Sequence, residues 1–179
     1  EVVSIPRKEN FELDEETIMR RLEKNDIDLI IVTNPNNPTG NLVSESFLMD
    51  MLKATDALVC VDEAYFEFSR ATVRPLLERF DNLVILRTFS KAFSLAALRV
   101  GYMIASPEIV NTFKKVRQPY SVSAFSQWAA QVVYRDRALF ENAIEEIVFE
   151  RAKMVEALRS IGGVVVFDSE SNFILFRVS

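Results

Sequence analysis

Three short apolar runs divide the first half of the chain: residues 28–33 (DLIIVT), 57–62 (ALVCVD) and 82–87 (NLVILR). They are continuous rather than alternating and rich in Val and Ile, the pattern of strands buried on both faces. A helical stretch over residues 46–54 separates the first two, with Ser44 placed to cap it and Glu45 following. Another, around residues 73–80, separates the second and third. This alternation predicts an α/β fold: a mostly parallel sheet with helices on both faces. Residues 100–105 (VGYMIA) read as a fourth strand.

Beyond this point the pattern turns helical. Pro107 opens a helix reaching to about Arg117, since proline suits the first turn. A second helix is predicted over residues 123–134, with Phe125 and Trp128 facing the core. A long one follows over 138–160, where Phe140, Ile144, Ile147, Val155 and Leu158 fall on one face. Gly162 and Gly163 end it. Two strand-like runs close the chain, residues 164–167 and 173–178.

Composition narrows the function classes. The 179 residues carry a net charge of -5, which argues against nucleic-acid binding. No apolar run approaches the roughly 20 residues a membrane helix needs, and no signal peptide is evident. The one cysteine, Cys60, lies in an apolar run, compatible with a reducing cytoplasm. There is no histidine, which removes Ser-His and Cys-His nucleophile pairs and most zinc sites; no metal site is expected. Four glycines cannot write a dinucleotide-binding or P-loop motif. The first residue, Glu1, and the stop within a strand suggest a piece of a longer protein.

Ligands of open parallel sheets bind beyond the carboxyl ends of the strands. Here each of the three central runs ends in a polar cluster: NPNNPTG from Asn34, DEAY from Asp62, and RTFSK from Arg87 to Lys91. Asp62 emerges from a buried strand, where a carboxylate is costly unless donors or a cation satisfy it. Lys91 lies between Phe89 and Phe93, so its amine is expected to be partly desolvated and available as a nucleophile. Thr88, Ser90 and Arg99 supply two hydroxyls and a guanidinium suited to a phosphate. Glu63 and Glu67 read as structural, and Lys114, Lys115 and Arg117 as a solvated helix end. A lysine nucleophile, a carboxylate and a phosphate cradle are the parts of a pyridoxal-phosphate (PLP) site.

These three clusters, with Arg99 eight residues after Lys91, resemble the signature of fold-type I PLP-dependent aminotransferases over nearly the whole chain. DEAYFEF and RTFSKAFSLAALRVGY look more narrowly like the histidinol-phosphate aminotransferase family, in which many members have glycine where Ser94 and Ala97 stand here. The resemblance implies that Lys91 holds the cofactor covalently and later shuttles the proton. It implies that Asp62 pairs with the ring nitrogen, that Tyr65 and Asn37 bind the phenolic oxygen, and that Thr88, Ser90 and Arg99 hold the phosphate. The bond before Pro38 is often cis in this family. Residues 1–135 would be the larger, PLP-binding domain, and 136–179 the interdomain helix and start of a small α+β domain. The implied reaction converts histidinol phosphate and 2-oxoglutarate to imidazole-acetol phosphate and glutamate, a step of histidine biosynthesis, in a cytoplasmic homodimer acting on small amino-acid and 2-oxo-acid substrates. The isolated chain would bind PLP weakly and turn over little. Family arginines that clamp substrate carboxylates lie further along, so that role is not carried to Arg177. Two alternatives stay open: another fold-type I aminotransferase or decarboxylase, or the PLP-sensing domain of a transcription regulator.

Overall fold

A computed structural model describes residues 1–178. Four strands form the main sheet in sequential order: β1 (Leu29–Thr33), β2 (Leu58–Asp62), β3 (Leu83–Thr88) and β4 (Gly101–Ala105). The first three run parallel, with Thr33 opposite Asp62 and Asp62 opposite Leu86. β4 returns antiparallel, placing Gly101 opposite Thr88. The three apolar runs therefore became strands within one residue of their predicted limits.

The face bearing Val32, Val59, Val61, Leu83 and Ile85 is sealed. Over it lie α1 (Glu15–Leu22), α2 (Glu45–Lys53) and a 3-10 turn, Arg74–Glu78. Ser44 caps α2 as its spacing predicts, its hydroxyl accepting from the Phe47 amide at 3.2 Å. α1, capped by Asp14, carries too short an apolar stripe to be predicted from its sequence. The helix predicted around residues 73–80 forms only as the 3-10 turn Arg74–Glu78, with Pro75 in its first turn.

The opposite face is covered in part. Cys60 and Val84 are buried there, α4 (Pro107–Val116) packs on β4, and Leu29, Ile31 and Leu86 stay exposed. Next come α5 (Ala124–Arg135), a 3-10 turn at Arg137–Phe140, and the long α6 (Glu141–Arg159). Phe125 and Trp128 on α5 are not core residues: they are 64% and 62% exposed. Ala130 takes the inward face of that helix instead, against Phe89, Phe93 and Val100. Lys114, Lys115 and Arg117 are exposed, as expected of a solvated helix end.

A two-stranded antiparallel sheet, β5 (Val164–Val166) and β6 (Phe176–Val178), finishes the described chain. The last strand begins three residues later than its apolar run, because Phe173 packs elsewhere. No helix among the described residues is long and apolar enough to cross a membrane.

Candidate functional site

Because β1, β2 and β3 are parallel, their carboxyl ends open onto one rim of the sheet. The loop after β1 is built by its own polar groups. The Asn34 amide donates to Asp62 O at 2.8 Å, and its side-chain oxygen accepts from the Val43 amide at 2.8 Å. Asn36 Nδ2 donates to Thr39 Oγ1 at 2.7 Å, and the Gly40 amide donates to Asn36 O at 2.7 Å. The bonds before Pro35 and Pro38 are both cis. Gly40 has φ +75, and a Cβ there would lie 2.4 Å from Ser169 Oγ. Glycine meets both demands: it adopts positive φ without strain and lets the later chain approach. That approach is fixed by the Glu170 amide, which donates to Gly40 O at 2.8 Å.

Asn37 projects from this loop and donates through Nδ2 to Tyr65 Oη at 2.7 Å. Tyr65 precedes the short helix α3 (Phe66–Ser69) and is only 6% exposed. Its ring meets the Phe173 ring edge-on, with centroids 5.1 Å apart. Lys91, from the third strand end, brings Nζ to 5.3 Å from the Tyr65 ring centroid. Asn37, Tyr65 and Lys91 therefore converge from three different strand ends. Asp62 stands on the same rim. Its Oδ1 accepts from the Ala64 amide at 3.0 Å, and no donor among the described residues engages Oδ2. The expectation of a desolvated Lys91 is not met in this chain. Phe89 and Phe93 turn inward, 5.5 Å apart, and Lys91 between them is exposed.

The three residues predicted to hold phosphate are close along the backbone but not fully gathered. Thr88 Oγ1 accepts from the Ser90 amide at 3.1 Å and donates to Val100 O at 3.3 Å. Arg99 sits in the left-handed region at φ 54. Its guanidinium folds back onto Ala96 O at 3.0 Å and donates to neither hydroxyl.

One layer is absent from the sequence reading. Glu63, fully buried, accepts through Oε2 from Arg87 Nε at 3.0 Å and Nη2 at 2.8 Å. Thr72 Oγ1 donates to the same oxygen at 2.9 Å, and the Val73 amide reaches Oε1 at 2.7 Å. The structural role expected of Glu63 is seen, but its partners were not foreseen. Two charged residues of opposite sign at neighbouring strand ends were the available signal. Nearby, burial raises the pKa of Glu67 above the ordinary carboxylate range, opposed more weakly by the charges of Arg87 and Arg70. Burial also raises the Tyr102 phenol, against a hydrogen bond and charge from Arg87, and the Cys60 thiol, to which the charge of Asp62 adds.

Comparison with known proteins returns one family across the chain: the model of aminotransferase class I and II matches residues 1–179. A histidinol-phosphate aminotransferase of Carboxydothermus hydrogenoformans is 44% identical over 175 residues, covering 98% of this chain and 50% of that protein. The crystal structure of the Clostridium acetobutylicum histidinol-phosphate aminotransferase superposes with a TM-score of 0.87 at 30% identity, over 96% of this chain and 53% of that one. The Sinorhizobium meliloti enzyme, solved in complex with pyridoxal-5'-phosphate, gives 0.86 at 25% identity, over 98% and 49%. The chain spans about half the length of the curated relatives it matches.

Proposed function

The chain belongs to the aminotransferase class I and II family, and from that premise we propose that it is the cofactor-holding portion of a PLP-dependent histidinol-phosphate aminotransferase. The observation that carries the reading is the meeting of Asn37, Tyr65 and the Lys91 amine on the rim where Asp62 also stands. That set fits the group: an amine for its aldehyde, a phenol and amide for its ring oxygen, and a carboxylate with one oxygen left for a ring nitrogen.

When bound, PLP supplies an electron sink that stabilises negative charge on the substrate carbon. The rest is work for side chains. Lys91 Nζ would hold the cofactor and, as a free amine, would serve as the base that moves the substrate's proton. The Asp62 carboxylate would keep a proton on the ring nitrogen. Asn37 fixes the Tyr65 hydroxyl, so that both present a settled pair of polar groups to the ring oxygen. Thr88 and Ser90 would bind the phosphate, and the Arg99 guanidinium, now on Ala96 O, would join them by turning away from that carbonyl.

In this proposal residues 1–135 make the cofactor domain, and residues 136–179 lead into a second, smaller one. The working protein is a cytoplasmic homodimer that exchanges an amino group between histidinol phosphate and 2-oxoglutarate.

The test uses the full-length protein and its Lys91→Ala variant. The parent should show a visible absorbance band with added PLP and become covalently labelled on borohydride treatment. Lys91→Ala should lose both, with turnover of histidinol phosphate falling by at least about 100- to 10,000-fold. A band in Lys91→Ala that is unchanged and still reducible onto the protein would overturn the assignment. A panel of aromatic and acidic amino acids checks the substrate: faster turnover of one of these would replace histidinol phosphate. The 179-residue chain alone should bind PLP weakly, and robust turnover by it would contradict this.

A further inference from the structure

Side chains of successive strand residues leave on opposite faces of a sheet. Asp62 and Glu63 are consecutive, and so are Arg87 and Thr88. Asp62 and Thr88 share the face of Cys60 and Leu86, toward the candidate site. Glu63 and Arg87 share the sealed face of Val61 and Ile85, directly beneath. There the pair is largely shielded from solvent. The Glu63 side chain is 0% exposed and that of Arg87 10%. Besides its two bonds to Glu63, Arg87 Nη2 donates to Thr72 Oγ1 at 2.8 Å, and the guanidinium carbon lies 3.5 Å from the centre of the Phe66 ring. Above them the Glu63 amide donates to Leu86 O at 2.8 Å, the last ladder bond before the rim.

Cohesion alone does not call for charges here. Well-packed apolar side chains in place of a buried ion pair are often as stable or more so. A two-pronged arginine–carboxylate contact adds fixed geometry. We infer that Glu63 and Arg87 are positioning residues, a clamp beneath the rim that sets the spacing between Asp62 and Thr88 so that both reach one bound molecule. This rests on the reading of the site as a PLP site. Neither residue touches the cofactor in this scheme. Both act through the neighbour with which they share a peptide bond.

The experiment takes the full-length protein and compares it with Glu63→Leu/Arg87→Met, an apolar double replacement, and with Arg87→Lys, which keeps the charge but loses the fork. Far-UV circular dichroism and the urea midpoint report folding. PLP affinity is read by titration of the apoprotein, and the pH midpoint of the visible band by spectrophotometry. Both variants should fold. The double variant should bind PLP about 10- to 100-fold more weakly, the range typical when groups supporting direct ligands are lost. Its band midpoint should shift, with kcat falling more than KM for the amino donor rises. Arg87→Lys should fall between. A folded double variant with parental PLP affinity and band midpoint would reduce the pair to a structural role. Should the double variant not fold, Arg87→Lys decides alone: parental affinity and midpoint overturn the clamp, weakened binding with a shifted midpoint supports it. A parent protein that binds no PLP overturns the function itself, and the clamp with it.

Discussion

The body of the sheet and the rim above it are held together by different means. In the body, Leu48, Val59, Val61, Leu83 and Ile85 are all less than 1% exposed, and apolar side chains fill the space between strands and helices. On the rim, packed rings such as Tyr65, Phe89 and Phe93 stand among buried polar side chains such as Asn34 and Thr39. The chain is held by amide-to-carbonyl and side-chain hydrogen bonds, and it passes through positive φ at Gly40, Ser94 and Arg99. Packing tolerates substitution in proportion to volume, whereas a rim built on backbone geometry fails or improves with the conformational freedom of single residues.

The largest effect should come from the body. Leu48→Ala in the full-length protein should lose about 2–5 kcal/mol in urea unfolding, with PLP affinity of the folded fraction unchanged. A loss of affinity without loss of stability would erase the distinction between the regions. Next is Gly40→Ala, which asks for positive φ and sets a Cβ 2.9 Å from the Ser169 Cα. It should cost about 1–3 kcal/mol and, unlike Leu48→Ala, weaken PLP binding in titrations of folded protein, because Asn37 shares the loop. Ser94→Gly should act in the other direction. Ser94 stands at φ 55, where glycine bears no penalty, and the substitution should raise the urea stability by up to about 1 kcal/mol.

The smallest expected effect concerns pH. Burial raises the Glu67 pKa in the fold, so its neutral form is favoured there. The associated stability is fully present below the unfolded carboxylate pKa and is lost as pH rises through the folded value. Glu67→Gln should therefore flatten the pH dependence of the urea midpoint above the ordinary carboxylate range. The variant should be the more stable near neutrality, and the two proteins should agree in acid. A larger gap in acid than at neutrality would contradict the assigned direction.

The body was legible in the sequence and the rim less so, for physical reasons. Residues 28–33, 57–62 and 82–87 announce themselves because strands buried on both faces need unbroken apolar runs. α1 was passed over because EETIMRRL offers only Ile18, Met19 and Leu22 as an apolar stripe, too short to outweigh its charges. Phe125 and Trp128 misled because large aromatic rings at helical spacing read as core, while the helix turns Ala130 inward. At the site, three polar clusters at strand ends pointed to a common rim, and the motif resemblance supplied roles for Lys91, Asp62 and their neighbours. Spacing could not reveal that residues 72 and 73 return to close over Glu63, because a loop's path is set by the hydrogen bonds it finishes with. Nor could it reveal that Phe173 leaves the final strand to meet Tyr65.

α6 reaches the rim from a distance. Ile144 is packed with Tyr65 and Phe68, and Arg151 Nη1 donates to Ser171 O at 2.6 Å, in the segment that lies on Gly40. One helix thus braces both the buried Tyr65 side chain and the segment that lies on Gly40.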